Sequence, residues 1–361
     1  MIYLDYAATT PLDKDVLEAM MPYLKETFGN PDSAHAAGRA AARAVSEARA
    51  WVARSLGVAP MEVYFTSGGT ETDNWAVRCL ASGSVAVSSI EHAALMSGAK
   101  LRKGGFSLIP STRGGIITSA AVESALTPDT GLVCVMAANN ETGATQPLAE
   151  IAALCRSRNI PLFSDCVQAG YLDLKEIASL CDALSLSGHK LYGPKGVGAL
   201  IVKKGVKLSP MIAGGEQERG LRGGTLNVAG IVGFAYALDK MQREREATFK
   251  RVQTLRDLFE EKVRAAFGDR VRVDGEKRLP NISHLTFLDG GDALLNKLDL
   301  NGLCASGGAA CSSHSALPSH VMLAMGASAW EAEHGIRFSF SHHTTEEEVE
   351  RAVQIIIECI Q

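Results

Sequence analysis

"IPLFSDCVQAG", residues 160–170, is a short apolar run that stops at an aspartate and turns. The same shape precedes it in "LVCVMAANNETG" (132–143), "SVAVSSIEH" (84–92) and "VYFTSGG" (63–69), with helix-like stretches in between. Short β-branched runs alternating with helices of ~10 to 15 residues predict an α/β fold with a mostly parallel sheet covered on both faces. Sheets of that kind bind ligands at the carboxyl ends of their strands. Polar residues collect at those ends here.

Further along, residues 234–267 read as one long charged helix, followed by the strand candidates "RVRVDG" and "NISHLTFL". That helix is expected to bridge into a second lobe, as 361 residues are too many for one simple core. Its basic residues read most simply as a solvated face. The net charge of -4 comes from 36 basic and 40 acidic residues with no long run of either sign. This argues against nucleic acid or an anionic membrane as the main partner and favours a small molecule. No apolar stretch approaches the ~20 residues that span a bilayer. The start, "MIYLDYAATTPLDKDV", has no basic segment followed by an apolar one, so the expected location is the cytoplasm.

Eight cysteines are scattered without a C-x-x-C pair, which suggests neither a zinc site nor a disulfide framework. Cys79, Cys134, Cys155, Cys181 and Cys359 lie in apolar or helix-like surroundings and read as core thiols. Cys311 differs. It sits in "CASGGAACSSHSALPSH", a run of small and polar residues that predicts a mobile surface loop.

At the strand ends, "TSGGTETDN" is a glycine-rich turn into a helix that would aim backbone N–H groups and the Thr70 hydroxyl at an anion such as phosphate. It matches neither a dinucleotide fingerprint nor a Walker loop, and an ordinary helix cap would look the same. His92, Asn140, Asp165 with Gln168, and the group "SGHK" (187–190) end other strands. A strand-end histidine is more often structural than catalytic, and a strand-end aspartate is often a cap. Taken together they ask for one ligand. A phosphate cradle, an aspartate for a pyridine nitrogen and a lysine able to form a Schiff base are the equipment for pyridoxal 5'-phosphate (PLP). Lys190 is favoured over Lys195, Lys203 and Lys204 by its neighbours, since Ser187 and His189 reach a phosphate from the same turn. A free lysine, with a pKa of ~10.4, must be partly desolvated before it can attack an aldehyde.

With "YLDYAATTP", "GNPDSAHAAGRAAR", "FTSGGTETDN", "NNETG", "DCVQAG", "SLSGHKLYGPKGVGAL", "GGEQERGLRGGTLNVAGIVGF", "GGAACSSHSALPSHVMLAMG" and "IRFSFSHHTTEEEV", the chain resembles the cysteine desulfurases of the NifS/IscS type along nearly its whole length. These belong to the class V aminotransferase superfamily. The resemblance implies PLP fold type I, with a large domain at residues 15–245 and a smaller α+β domain built from 1–14 with 246–361. It implies Lys190 as the Schiff-base lysine, His92 stacked on the cofactor ring, and Gly69, Thr70, Ser187 and His189 at the phosphate. Asp165 resembles the partner of the pyridine nitrogen, Gln168 the donor to the ring hydroxyl, and Asn140 a contact shared by cofactor and substrate. Thr225 is similar to the threonine that reaches the phosphate of the neighbouring subunit, which implies a homodimer. Arg337 resembles the arginine that grips the substrate carboxylate, a role suited to a planar fork of donors.

Cys311 matches the family's persulfide-forming cysteine, on a loop as long as those of members that hand sulfur to other proteins. No resident metal is implied, though Cys311 could share an iron–sulfur cluster with a scaffold. "ASGGAAC" departs from the usual serine-rich approach to this cysteine, and Cys166 stands where alanine or threonine is common. The sequence ends at "AVQIIIECIQ", and the resemblance implies no extension of the kind with which housekeeping members dock their scaffold, so an iron–sulfur scaffold, a tRNA-thiolation protein and a dedicated maturation system all stay open as acceptors. The expected reaction turns L-cysteine into L-alanine and a persulfide on Cys311. The alternatives are a selenocysteine lyase or another enzyme of the superfamily, and a catalytically idle binding platform, against which the intact Lys190, His92 and Asp165 argue.

Overall fold

The computed structural model describes residues 1–288, 293–307 and 318–360. Seven strands form the main sheet, in the spatial order Val63–Thr66, Gly198–Val202, Ala183–Ser187, Leu162–Asp165, Thr130–Cys134, Ser84–Ser88 and Phe106–Ile109. All pairings are parallel except those of Gly198–Val202, which runs against both neighbours.

The apolar runs are continuous because both faces are buried, and the two-residue period of a strand sorts them. Val85, Val87, Leu132, Cys134, Phe163 and Leu200 point to one core, with Trp75 and Leu95 from the helices Gly69–Cys79 and Ala93–Lys100. Ala86, Val133, Leu162, Leu184 and Ile201 point to the other core, under the helices Ala36–Leu56 and Val228–Arg243.

A second, antiparallel sheet takes the order Ser306–Gly307, Gly335–Ser339, Ile282–Phe287 and Val271–Asp274. The helices Arg245–Phe267 and Glu346–Ile360 pack together beside it. The first strand of the chain, Ile2–Tyr3, pairs with Leu303–Cys304, and Asp5 bridges to Ser339.

Two expectations need correction. The single helix over 234–267 is two helices, Val228–Arg243 and Arg245–Phe267, separated at Glu244. The break falls where a helix with eleven buried residues gives way to one that lies over the second sheet. Nor are its basic residues simply solvated: Lys240 binds Asp13 at 2.9 Å and Asp15 at 2.7 Å, and Arg256, 6% exposed, donates to Leu279 O at 2.6 Å. Cys79, expected in the core, is half-buried with its thiol near Pro210 O, because it ends its helix at the surface.

Candidate active site

The carboxyl ends of the central strands open into a cavity of about 350 Å³. Gly69, Thr70, His92, Asn140, Asp165, Gln168, Ser187, His189, Lys190 and Arg337 all line it. Ten residues singled out from sequence positions between 69 and 337 thus meet in one place. Thr225 is exposed and lies apart from this cavity. Cys311 lies outside the described residues.

At one end, the strand Val63–Thr66 turns through Gly68, at φ +147°, into the helix that begins at Gly69. The positive φ requires glycine, and a Cβ at Gly68 would point at Ser187 Oγ from 3.6 Å. Ser187 Oγ is buried and has no hydrogen-bond partner among the described residues. A buried hydroxyl without a partner costs about 1–3 kcal/mol. Aimed into a cavity beside the N-terminus of an 11-residue helix, it fits an anion, and the phosphate of PLP suits that cradle. His189 stands beside it with Nδ1 3.1 Å from Thr9 Oγ1. Burial, then Lys190 and Lys195, push its pKa down to about 4, so it is neutral at physiological pH and its ring keeps a donor for the anion.

The strand Leu162–Asp165 ends on Asp165, whose Oδ1 accepts from Val167 N at 2.8 Å. Lys190 closes the 3₁₀ turn Gly188–Lys190 after the strand Ala183–Ser187. Its Nζ donates to Ala7 O and to Ala8 O, the latter at 2.9 Å. Gln168 Nε2 donates to the same Ala7 O at 2.7 Å, so the N-terminal segment forms one wall. His92 caps the helix Ala93–Lys100, its Nδ1 accepting from Ala94 N at 3.1 Å.

Arg337, 2% exposed, comes from the second sheet. Its Nη1 donates to Asn140 O at 2.7 Å and its Nη2 to Asp5 Oδ1 at 2.8 Å, while Nε has no partner among the described residues. The guanidinium is therefore fixed in orientation yet keeps donors for a carboxylate.

The structure adds residues that the sequence reading missed. Asp73 lines the cavity one helical turn after Gly69, and that i, i+4 spacing was the available signal. Glu141 and His320 also line it. His320 Nε2 sits 2.9 Å from Glu91 O, and Ser319 Oγ donates to the Glu141 carboxylate. No cluster of His, Cys, Asp and Glu fit for a metal ion occurs among the described residues. No helix among them is long and apolar enough to cross a membrane.

Residues 2–352 match the family described as aminotransferase class-V. The chain belongs to that family. It is 40% identical to the cysteine desulfurase IscS of Dictyoglomus turgidum, over all of this chain and 94% of the relative. A solved NifS-like protein from Rickettsia africae superposes with a TM-score of 0.91 at 32% identity, covering 99% of each chain. A structure described as SspA in complex with cysteine gives a TM-score of 0.84 at 34% identity, over 96% of this chain and 100% of that one. A class-V aminotransferase fold accounts for the mostly parallel sheet and for a site at its carboxyl edge.

Proposed function

We propose that this class-V chain is a PLP-dependent cysteine desulfurase, which converts L-cysteine to L-alanine and leaves a persulfide on Cys311. The observation that carries this reading is one cavity holding Lys190, Asp165, the partnerless Ser187 hydroxyl and Arg337. Bound PLP supplies an aldehyde for the substrate amine and a ring that withdraws electrons from the substrate Cα. Ser187, His189 and the Gly69–Thr70 turn hold its phosphate, Asp165 its ring nitrogen, and His92 its ring face. Arg337 takes the substrate carboxylate. The amine of Lys190 accepts the Cα proton. The Cys311 thiolate then attacks the substrate sulfur; an S–S bond forms, the substrate C–S bond breaks with its electron pair going to Cβ, Cβ takes a proton, and Lys190 returns the proton to Cα to give alanine.

Geometry supports the role of Cys311. Ser306 lies opposite Arg337 in the second sheet, so the chain enters the stretch with Cys311 beside the carboxylate-binding arginine, and His320, just beyond it, lines the cavity. Sulfur then passes to an acceptor protein for iron–sulfur cluster assembly or thiolation, and Thr225 completes the phosphate site of a second copy in a homodimer.

The test is alanine release from L-cysteine with a reductant present. Cys311→Ala is expected to bind PLP and yield neither alanine nor protein-bound persulfide. Turnover close to wild type would overturn the persulfide route and favour a lyase in which the reductant takes the sulfur.

A further inference from the structure

Two buried carboxylates share one serine hydroxyl behind the cavity. Asp73, on the helix Gly69–Cys79, is 1% exposed, and Asp165 is 5% exposed. Ser185, on the strand Ala183–Ser187 that pairs with Leu162–Asp165, sets its Oγ 2.9 Å from Asp73 Oδ1 and 3.3 Å from Asp165 Oδ1. A serine hydroxyl has one proton to donate. Were both carboxylates ionised, one of them would face an oxygen lone pair, and two like charges would sit together in a medium of low dielectric.

The acidic groups around Asp73 deepen that conflict. The titratable groups bearing most on Asp73 are Asp165 and Glu91, both acidic. Cys134 and Cys166 nearby are kept as thiols by burial. On its own helix Glu71 is occupied by Arg222 at 2.8 Å, and Arg78 is exposed. His92, heading the neighbouring helix, acts on Glu91. Of the cavity's cations, Lys190 reaches Ala7 O and Ala8 O, and Arg337 reaches Asp5 and Asn140 O.

We propose that Asp73 is a positioning residue held as the neutral acid: it donates its proton to Ser185 Oγ, and Ser185 donates to Asp165. A single negative charge then faces the ring nitrogen of PLP, on a carboxylate whose orientation is fixed by Val167 N and Ser185. Burial first and Asp165 second raise the Asp73 pKa well above the usual carboxylate range, against the lowering pull of the Ser185 hydroxyl. The inference rests on the reading of the cavity as a PLP site.

The experiment compares full-length wild type with Asp73→Asn, Asp73→Ala and Ser185→Ala. The infrared difference between wild type and Asp73→Asn at neutral pH should contain the carbonyl stretch of a buried carboxylic acid, with the band of the buried Glu91 common to both and cancelling, and that stretch should shift in Ser185→Ala. Asp73→Ala should retain PLP about tenfold less well, and Asp73→Asn, an uncharged donor of the same shape, should restore retention to within about twofold.

The thermal midpoint of the PLP-free protein gives a further readout. A carboxyl whose folded pKa is raised contributes stability that is present below its unfolded pKa and lost as pH rises towards the folded one. Asp73→Asn should therefore gain on the wild type steadily from about pH 4 upwards. A difference spectrum without the acid band, or an Asn variant as poor in PLP retention as Ala, would overturn the proposal. Failure of the wild type itself to take up PLP would sink the cofactor reading alone, and the infrared band would still decide the state of Asp73.

Discussion

Ser187 carries its role in what it lacks. A fully buried hydroxyl without a partner destabilises the chain that holds it, so its presence at a strand end points to a ligand that supplies the partner. Ser187→Ala should raise or preserve the stability of the PLP-free protein, by up to about 1 kcal/mol, because an unsatisfied polar atom is removed. The same change should weaken PLP binding several-fold, read by titrating the cofactor's visible absorbance. A loss of PLP-free stability with cofactor affinity intact would instead make this hydroxyl structural. Single residues were legible in the sequence where chemistry is carried by unusual neighbours, as with Lys190 behind "SGH" and Asp165 before "CVQAG". Asp73 was not, since an aspartate within "TETDN" reads as one more polar residue of a helix until the fold turns it inward against Asp165. Glu91 stayed hidden for a related reason. It precedes His92 like a surface residue, yet it is 0% exposed, and burial above all pushes its pKa up to about 8.

At the scale of elements, central strands of the main sheet were readable because burial on both faces leaves them short and largely apolar. The break at Glu244 was not readable, as "DKMQREREATF" carries no glycine or proline and keeps helical character on both sides. In the second sheet, a glycine has a specific task that only packing reveals. Gly335 lies under the His284 ring: a Cβ there would come within 2.4 Å of His284 Cε1 and 2.8 Å of Nε2. That ring is 0% exposed and held by Asp274 Oδ2, 2.9 Å from Nδ1, so it has little room to yield. Gly335→Ala should therefore cost about 1–3 kcal/mol in denaturant unfolding, as overpacking does elsewhere. Truncating the ring in the double variant Gly335→Ala/His284→Ala should recover part of that loss beyond additivity. Strictly additive effects would mean that the clash is absorbed by the backbone.

For the molecule as a whole, the ends of the chain matter more than their length suggests. The first strand pairs with Leu303–Cys304 and the following residues wall the cavity, with Ala7 O taking Lys190 and Gln168. We propose the two-lobed division at 15–245, with 1–14 joined to 246–361, on the strength of that pairing. Asp5 ties the N-terminal segment to Arg337, contributed from the far end of the sequence. Its carboxylate holds Arg337 Nη2 at 2.8 Å, with side-chain exposures of 19% and 2%. The orientation of the arginine is thus set by a residue 332 positions away, a dependence invisible to local reading. Asp5→Ala leaves the guanidinium charge buried with only Asn140 O as a named partner, and breaking such a pair costs on the order of 3 kcal/mol. The consequence for binding has a definite sign. A misaligned fork loses the substrate carboxylate, so the variant should show a KM for L-cysteine raised about tenfold or more with a smaller change in kcat. Cofactor uptake should stay near wild type, since Asp5 does not line the cavity. Asp5→Asn, which keeps an acceptor oxygen for Nη2, should recover part of the loss. An unchanged KM in Asp5→Ala would detach Arg337 from substrate recognition and leave its pairing with Asp5 as a strut between the chain's two ends.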